Sequence, residues 1–544
     1  MRNRYFAFFV FSILYAFYIL PFLNNIVFDA VIHFSVSENF VKGYPFQFNQ
    51  NGETVLASTS PFWTMILILC FKFAEYKAVL LLKAIIILAW GGTTYFIYRT
   101  AKDIWKLPQI PLYALLLLWI LNVSVLKNSL GGMENILSAF QLILIYHLLC
   151  RSQGALHYNY IITTGILTGW ALLTRPEVGF LCFLITIIYL LRFLLNKQVK
   201  SLKILGCFTI VILCTLIILL PWYYYQYSVT GKIISDSSYS RIFSGRWNSI
   251  VIIPGTIFLH PYLLSVLFTA FLPVTFGSLY YIKYIRTFFR KLKETGIFYL
   301  FEKFNITTSV IILLVGFILY TFIVGGDQIG RYFVPFYPFF FIIGISGLTL
   351  LYNDLKPVSI LWSRLFIIGT VLFLLSVNIY DYYRRVLLGT EMESKVSEMI
   401  NSPGQRHDYT LYFLRGLKYK DSDTIKFALK EIQFRYFIDE RIQVESLDGR
   451  TSSKIFKYLD RNGFPDFEKY LLNEKPDVVE VGGWDKMINY RAWYMKMFTF
   501  GKKDNIISLW DRKISNMQMG DSFYWEGNKV SFYLPGLVRI DWNN

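Results

Sequence analysis

Long apolar runs alternate with short polar breaks through the first two thirds of this chain. Stretches such as YALLLLWIL and GCFTIVILCTLIILLPW show no period-two alternation, which excludes a barrel built of strands of about ten alternating residues. Apolar runs of roughly 17–25 residues predict membrane-crossing helices, because a helix satisfies its own backbone in lipid. The predicted crossings are 5–24, 78–98, 109–126, 134–150, 159–173, 178–194, 204–222, 260–282, 304–324, 332–351 and 361–380. PFWTMILILCFKF, residues 61–73, is too short to span comfortably and is predicted to be re-entrant or to lie in the interface. The first run has no small-residue cleavage site and more runs follow it, so it predicts a retained helix rather than a signal peptide.

After residue 380 the pattern changes. KFALKEIQFRYFI, DVVEVGG and YMKMFTF read as strands, and SSKIFKYLDRNG reads as a helix. The predicted fold class is an α-helical polytopic membrane protein of about 11 transmembrane helices with a C-terminal exported α/β domain. The expected division is 1–380 for the transmembrane part and 381–544 for the exported part, with no internal repeat and no low-complexity linker.

Composition sharpens this picture at two points. With 55% hydrophobic and only 17% charged residues, the chain is not an ordinary soluble domain. The net charge of +18 sits in the membrane part, where 28 Lys and Arg face 12 Asp and Glu, while the tail is nearly balanced at 26 against 24. That distribution argues against a nucleic-acid partner and for orientation by the positive-inside rule. One face receives Arg2, Arg4, Arg99, Lys102, Lys106, Arg151, Arg192, Lys197, Lys200, Lys203 and the cluster from Lys283 to Lys303. The expected location is therefore the inner (cytoplasmic) membrane, multi-pass, with the N-terminus cytoplasmic and the C-terminal domain extracytoplasmic. The five cysteines lie in or beside apolar runs and none follows residue 380, so the tail has no internal disulfide. No Cys/His metal spacing occurs.

Soluble-enzyme motifs are missing: there is no P-loop, no dinucleotide glycine fingerprint and no HExxH. DSD at 421–423 is a three-residue string of the kind that chance supplies. What stands out is a polar set on the predicted outer side: Asp29, Glu134, Arg175, Glu177, Arg241, Asp327 and Arg331. Charged groups near a membrane cost a few kcal/mol unless they face a polar cavity. Carboxylates with arginines suit attack by a hydroxyl on a phosphate-linked substrate. A carboxylate takes the hydroxyl proton, and arginine holds the phosphate bidentately.

The segment FDAVIHFSVSENFVKGYPFQFNQNGETVLASTSPFW resembles the first external loop of GT-C-fold glycosyltransferases, closest to the arabinofuranosyltransferase-like branch with polyprenyl-phosphate donors. Phe28-Asp29-Ala30, Asn39 to Gly43, Phe48-Asn49, Gly52-Glu53 and Thr59 to Trp63 carry the match. GGMEN, LLTRPEVGFL, PWYYYQYSVTGKIISDSSYSR, GGDQIGRYFVPFYP and the tail stretch FRYFIDERIQVESLDGR follow in the same order. The resemblance implies Asp29 as catalytic base, with Glu134, Arg175, Glu177, Arg241, Asp327 and Arg331 around the donor. It implies a polyprenyl-phosphate-linked sugar donor, a glycan, lipid or protein acceptor, and contact with membrane lipids. No ligand cluster in the sequence requires a metal, so no cofactor is expected, with room for a loosely held divalent cation. The family pattern has two adjacent acids where this chain has Phe28 and Asp29, and SDSSY replaces a Pro-Asn-Thr element near 235–239.

Plainer readings stand beside these. Asp29 can cap an amphipathic interfacial helix, and His33, one turn on, can be structural or face the same cavity. Arg175 before Pro176 can mark a helix boundary, and Glu134 can complement a helix dipole. Arg331 can pair with Asp327 or snorkel, Arg241 can meet lipid headgroups, and PWYYYQY can be an interfacial belt. A lipid-linked sugar transporter or flippase and a non-catalytic assembly factor with this fold are the functional alternatives. The transporter lacks its usual paired repeats here.

Overall fold

In a computed structural model of the chain, residues 28–50, 52–152, 156–195, 199–236, 304–324, 333–355, 425–429, 442–446, 454–458, 466–480, 522–534 and 537–541 are described, with a few isolated positions besides. Helix α1 spans Phe28–Val41, α2 Pro61–Ala74, α3 Ala78–Arg99, α4 Gln109–Leu121, α5 Val123–Leu130 and α6 Asn135–Arg151. Then follow α7 Tyr158–Thr174, α8 Pro176–Leu195, α9 Ser201–Thr230, α10 Phe304–Val324 and α11 Tyr337–Leu355. Among the described residues, three stretches are long and apolar enough to cross a membrane: Ala78–Ile104, Pro176–Leu195 and Ser201–Thr230. The expected crossings at 260–282 and 361–380, and nearly all of 5–24, lie outside the described residues.

Small residues set how closely the helices pack. Gly165 and Gly169 stand one turn apart on α7, and a Cβ at either would meet the side chain of Cys214 or Ile218 on α9 at 2.8 Å. Thr215 donates its hydroxyl to the Gly165 carbonyl at 3.1 Å across this contact. Lipid tails are as apolar as leucine, so close backbone approach and such bonds drive helices together in a bilayer.

Three expectations are corrected. The run 109–126 is two helices: Asn122 has extended backbone and its side chain accepts from the Val125 N–H at 2.9 Å, which starts α5 afresh. Helix α1 is not an amphipathic surface helix, for residues 30–37 are buried on every side. Asp29 is its second residue and so lies inside the first turn rather than at the cap. The aromatic end of α9 is only partly a belt. Tyr224 and Tyr227 are exposed, but Trp222 is buried against Phe46 at a ring separation of 5.6 Å.

Helix α2 stays on one side of the bundle. Trp63 near its start donates to the Gly132 carbonyl at 3.1 Å, and Lys83, on the helix that follows, donates to the Leu130 carbonyl of the same turn. At the other end of α3 and α6, Thr100 meets His147 at 3.1 Å, beside Arg99 and Arg151. Fourteen residues make about 21 Å of helix, which fits the short-segment expectation for 61–73.

In the tail, strands β1 (Ile425–Leu429), β2 (Ile442–Ser446), β3 (Val478–Glu480), β4 (Ser522–Trp525), β5 (Asn528–Leu534) and β6 (Leu537–Asp541) form one sheet. Its order is β2-β1-β3-β6-β5-β4, parallel among the first three and antiparallel thereafter. Helix α12, Phe467–Glu474, begins at Asp466, whose side chain accepts from the Lys469 N–H. The stretch SSKIFKYLDRNG yields a 3-10 turn at Lys454–Lys457 among its described residues. The hairpin turning at Glu526-Gly527, where both residues have positive φ, and strand β2 add to the strands expected. YMKMFTF lies outside the described residues.

Candidate functional site

The site is built on two chain reversals that face α1. The first is the turn before α6. Gly132 has φ +86, and a Cβ there would press on Ala30 and Phe34 of α1 at 3.3 Å. A left-handed backbone and a close approach thus both call for glycine. This turn delivers Glu134, whose carbonyl accepts the Ser138 N–H at 3.0 Å. Its carboxylate, 1% exposed, points back into the protein.

The second reversal joins α7 to α8. A residue before proline avoids helical backbone, and Arg175 has φ −151 and ψ 112. The break turns its guanidinium inward, where it is 5% exposed. Nε lies 3.0 Å from Glu177 Oε1 and 3.5 Å from Glu134 Oε1, and Nη1 donates to Asn135 Oδ1 at 2.6 Å. Gln141 donates to Thr174 Oγ1 at 3.0 Å and ties α6 to the end of α7 just behind. Removing ions from water costs several kcal/mol each, so a buried charge persists only when paired and hydrogen-bonded.

His33 completes the cluster from α1. Its Nε2 lies 3.9 Å from Glu134 Oε2, and its Nδ1 lies 2.9 Å from Ser58 Oγ. Among the described residues, Glu134 Oε2 accepts no hydrogen bond, the 3.9 Å separation being too long for one. One oxygen of Glu134 is therefore held by arginine, while the other is buried and open to a donor. The backbone of Asp29 lies one turn before His33 on α1.

Of the residues singled out from sequence, the structure brings together Glu134, Arg175 and Glu177, with Asp29 placed by backbone on the adjoining helix. Arg241, Asp327 and Arg331 lie outside the described residues. Sequence reasoning undervalued His33 and passed over Asn135. The signals were available: His33 stands four residues after Asp29, and Asn135 closes GGMEN. Among the described residues, no three His, Cys, Asp or Glu side chains gather as a metal-holding group.

No family model matches the sequence, and no curated protein sequence matches it. Solved structures do. The oligosaccharyltransferase of Archaeoglobus fulgidus in complex with Zn and sulfate matches at 11% identity and TM-score 0.50, over 86% of this chain and 65% of that one. The fold is that of the GT-C membrane glycosyltransferases. ArnT from Cupriavidus metallidurans bound to undecaprenyl phosphate matches at 12% identity and TM-score 0.47, over 83% of this chain and 88% of that one. The archaeal oligosaccharyltransferase AglB with an inhibitory peptide and a dolichol-phosphate matches at 12% and 0.49, over 86% and 67%. This chain thus spans about 65% of the length of the first of these.

On this GT-C fold the first loop does more than carry α1. Asn39 donates its amide to the Gln47 and Phe48 carbonyls at 3.1 and 2.9 Å. Asp236 holds the Leu56 backbone from both sides, accepting its N–H at 2.7 Å and donating to its carbonyl at 3.1 Å. Asn49 then pairs with the outer edge of the sheet: its amide donates to the Val444 carbonyl at 2.9 Å and accepts the Val444 N–H at 3.0 Å. Beneath these bonds, Ile32, Val36, Phe48, Val55 and Ala57 share one apolar cluster with Ile425, Phe427, Ile442, Val444 and Val478.

Behind β2, Lys454 bridges Glu445 at 2.5 Å and Glu474 at 3.3 Å, and Tyr470 donates to Glu445 at 2.6 Å. Burial works against the Lys454 charge, yet Glu445 and Glu474 together hold its pKa above the usual lysine range. Burial pushes Glu474 up, but hydrogen bonds from Tyr458 and Lys454 and the lysine charge outweigh it and leave the carboxyl low. Tyr470 is raised well above its usual value, by burial first and then by Glu445.

Proposed function

We propose that this protein is a membrane glycosyltransferase that moves a sugar from a polyprenyl-phosphate donor to an extracytoplasmic acceptor, a cell-envelope glycan or a protein. The observation that carries the reading is the set of buried Glu134, Arg175, Asn135 and His33 with half-buried Glu177 at one end of the bundle. It adjoins the helix that holds Asp29. The GT-C fold supports the reaction class. The arabinofuranosyltransferase-like branch and the lipid-phosphate donor rest on the loop motifs in the sequence.

In this mechanism Asp29 takes the proton of the acceptor hydroxyl as its oxygen attacks the anomeric carbon. The bond to the phosphate oxygen breaks on the opposite face, so the sugar inverts. The polyprenyl phosphate leaves already charged and needs no strong acid. General-base assistance of this kind contributes about 10²–10⁴-fold. Glu134 Oε2 accepts a hydroxyl of the donor sugar. Arg175 serves chiefly to orient Glu134 and Glu177, because its guanidinium is engaged with both and with Asn135. The donor phosphate falls to Arg241 and Arg331, with Asp327 beside the latter. The reading includes no cofactor. The transmembrane part is 1–380, and the exported part, 381–544, contributes to acceptor binding.

The test is glycan mass spectrometry of envelope material from a deletion strain complemented with wild type or Asp29→Asn. A single pentose or hexose that disappears on deletion and returns only with wild type supports the enzyme and identifies the sugar. Full restoration by Asp29→Asn removes Asp29 as the base. If no glycan changes in any strain, the assembly-factor reading takes its place.

A further inference from the structure

Hydrogen-bond accounting around His33 constrains where its protons sit. Thr64 Oγ1 lies 3.1 Å from the Ser60 carbonyl and 2.7 Å from Ser58 Oγ. A carbonyl only accepts, so the one hydroxyl proton of Thr64 goes to Ser60. Ser58 must then spend its own proton on Thr64. Its two lone pairs accept from the Ser60 N–H at 3.2 Å and from His33 Nδ1 at 2.9 Å. This is the one assignment that makes all four contacts hydrogen bonds, and in it Nδ1 carries a proton. Nε2 faces Glu134 Oε2. A neutral ring protonated at Nδ1 would present a lone pair to a carboxylate, two acceptors aimed at each other in a buried site.

Charge balance points the same way. Glu134 and Glu177 supply two negative charges, and Arg175 supplies one positive charge. Among the described side chains of this cluster, a protonated His33 offsets the second negative charge. The turn before α6 presents Glu134, with Arg175 and Glu177 from the α7–α8 junction behind it. Lys83 of α3 bonds the Leu130 carbonyl of that turn. The start of α2 presents the Ser58, Ser60 and Thr64 oxygens, and the sheet presents apolar side chains to Ile32 and Val36 on α1. On α1 itself, Asp29 stands one turn before His33 and Glu38 five residues after it.

We propose that His33 is a positioning residue that carries both ring protons and serves as the second counter-ion of Glu134, holding that carboxylate in place and aimed at the donor sugar. The positioning role rests on the function proposed above; the ion pair does not. Glutamine at position 33 keeps a side-chain N–H but does not titrate.

The experiment is thermal unfolding of the full-length protein in detergent from about pH 6 to about pH 9, across the ordinary histidine range, for wild type, His33→Gln and Glu134→Gln. A cation stabilised by its partner contributes stability that is present at low pH and lost as pH rises through its folded pKa. The wild-type midpoint should therefore fall over this window, and both variants should lose that component. A His33→Gln protein with the wild-type pH dependence overturns the ion pair.

The complementation strains supply the second measurement. His33→Ala should lower the transferred glycan about tenfold or more, as misplaced catalytic groups do, and His33→Gln should recover part of that loss. Full complementation by His33→Ala, with Asp29→Asn inactive, overturns the positioning role while the proposed function stands. A flattened pH dependence in His33→Gln with no glycan change in any strain upholds the ion pair and overturns the proposed function.

Discussion

Arg175 illustrates how one residue answers two readings at once. It marks a helix boundary, because proline follows it, and the same break turns its guanidinium toward Glu134, Glu177 and Asn135. Replacing it with methionine leaves buried Glu134 and half-buried Glu177 without their shared cation. Breaking a buried pair in this way costs about 3–5 kcal/mol, so Arg175→Met should show a clearly lower unfolding midpoint in detergent. Asp29→Asn, on the helix that also holds His33, should abolish glycan transfer in the complementation assay. The first defect is structural and the second chemical, and the pair of measurements separates them.

At the scale of elements, the contact between α7 and α9 depends on the absence of side chains at Gly165 and Gly169. A leucine at 169 would collide with Ile218 and with the Thr215 carbonyl, which a Cβ alone would approach to 3.1 Å. Backbone cannot give way as a side-chain tip can. Gly169→Leu should lower the yield of monodisperse protein on size exclusion and cost at least the about 1–3 kcal/mol of ordinary overpacking. In the sheet, the Glu445–Lys454–Glu474 group sets a pH window for the packing of α12. Glu474 is held low, so its contribution is present above its unfolded pKa and fades as pH falls through the folded one. Lys454 is held high, so its contribution is lost as pH rises through its folded pKa. Protection of β2 amides from hydrogen exchange, corrected for the intrinsic rate at each pH, should be greatest between these limits, and Lys454→Met should flatten both flanks.

For the whole molecule, the decisive feature is that the first loop belongs to two bodies at once. Helix α1 lies against Gly132 and Glu134 on one side, while Phe48, Asn49 and Val55 lie against β1 and β2 on the other. A free sheet edge presents unpaired N–H and C=O groups, and the Asn49 amide satisfies both groups of Val444. Asn49→Ala should leave that buried pair unmet, at about 1–3 kcal/mol, and should speed hydrogen exchange at Val444 while leaving α6 unchanged. Such coupling gives the tail a physical route to the helix that carries Asp29.

The sequence by itself determined the helical membrane class, most described helix positions, and three members of the site cluster. These properties follow from local composition and from the repeated cost of placing polar groups in lipid. Tertiary structure alone decided the rest. The burial of α1 on every face, the break at Asn122, the partners of Arg175 and the recruitment of His33 all depend on segments far apart in the chain. A periodicity reports which residues avoid water, whereas the protonation of His33 depends on where Ser58 and Glu134 stand in space.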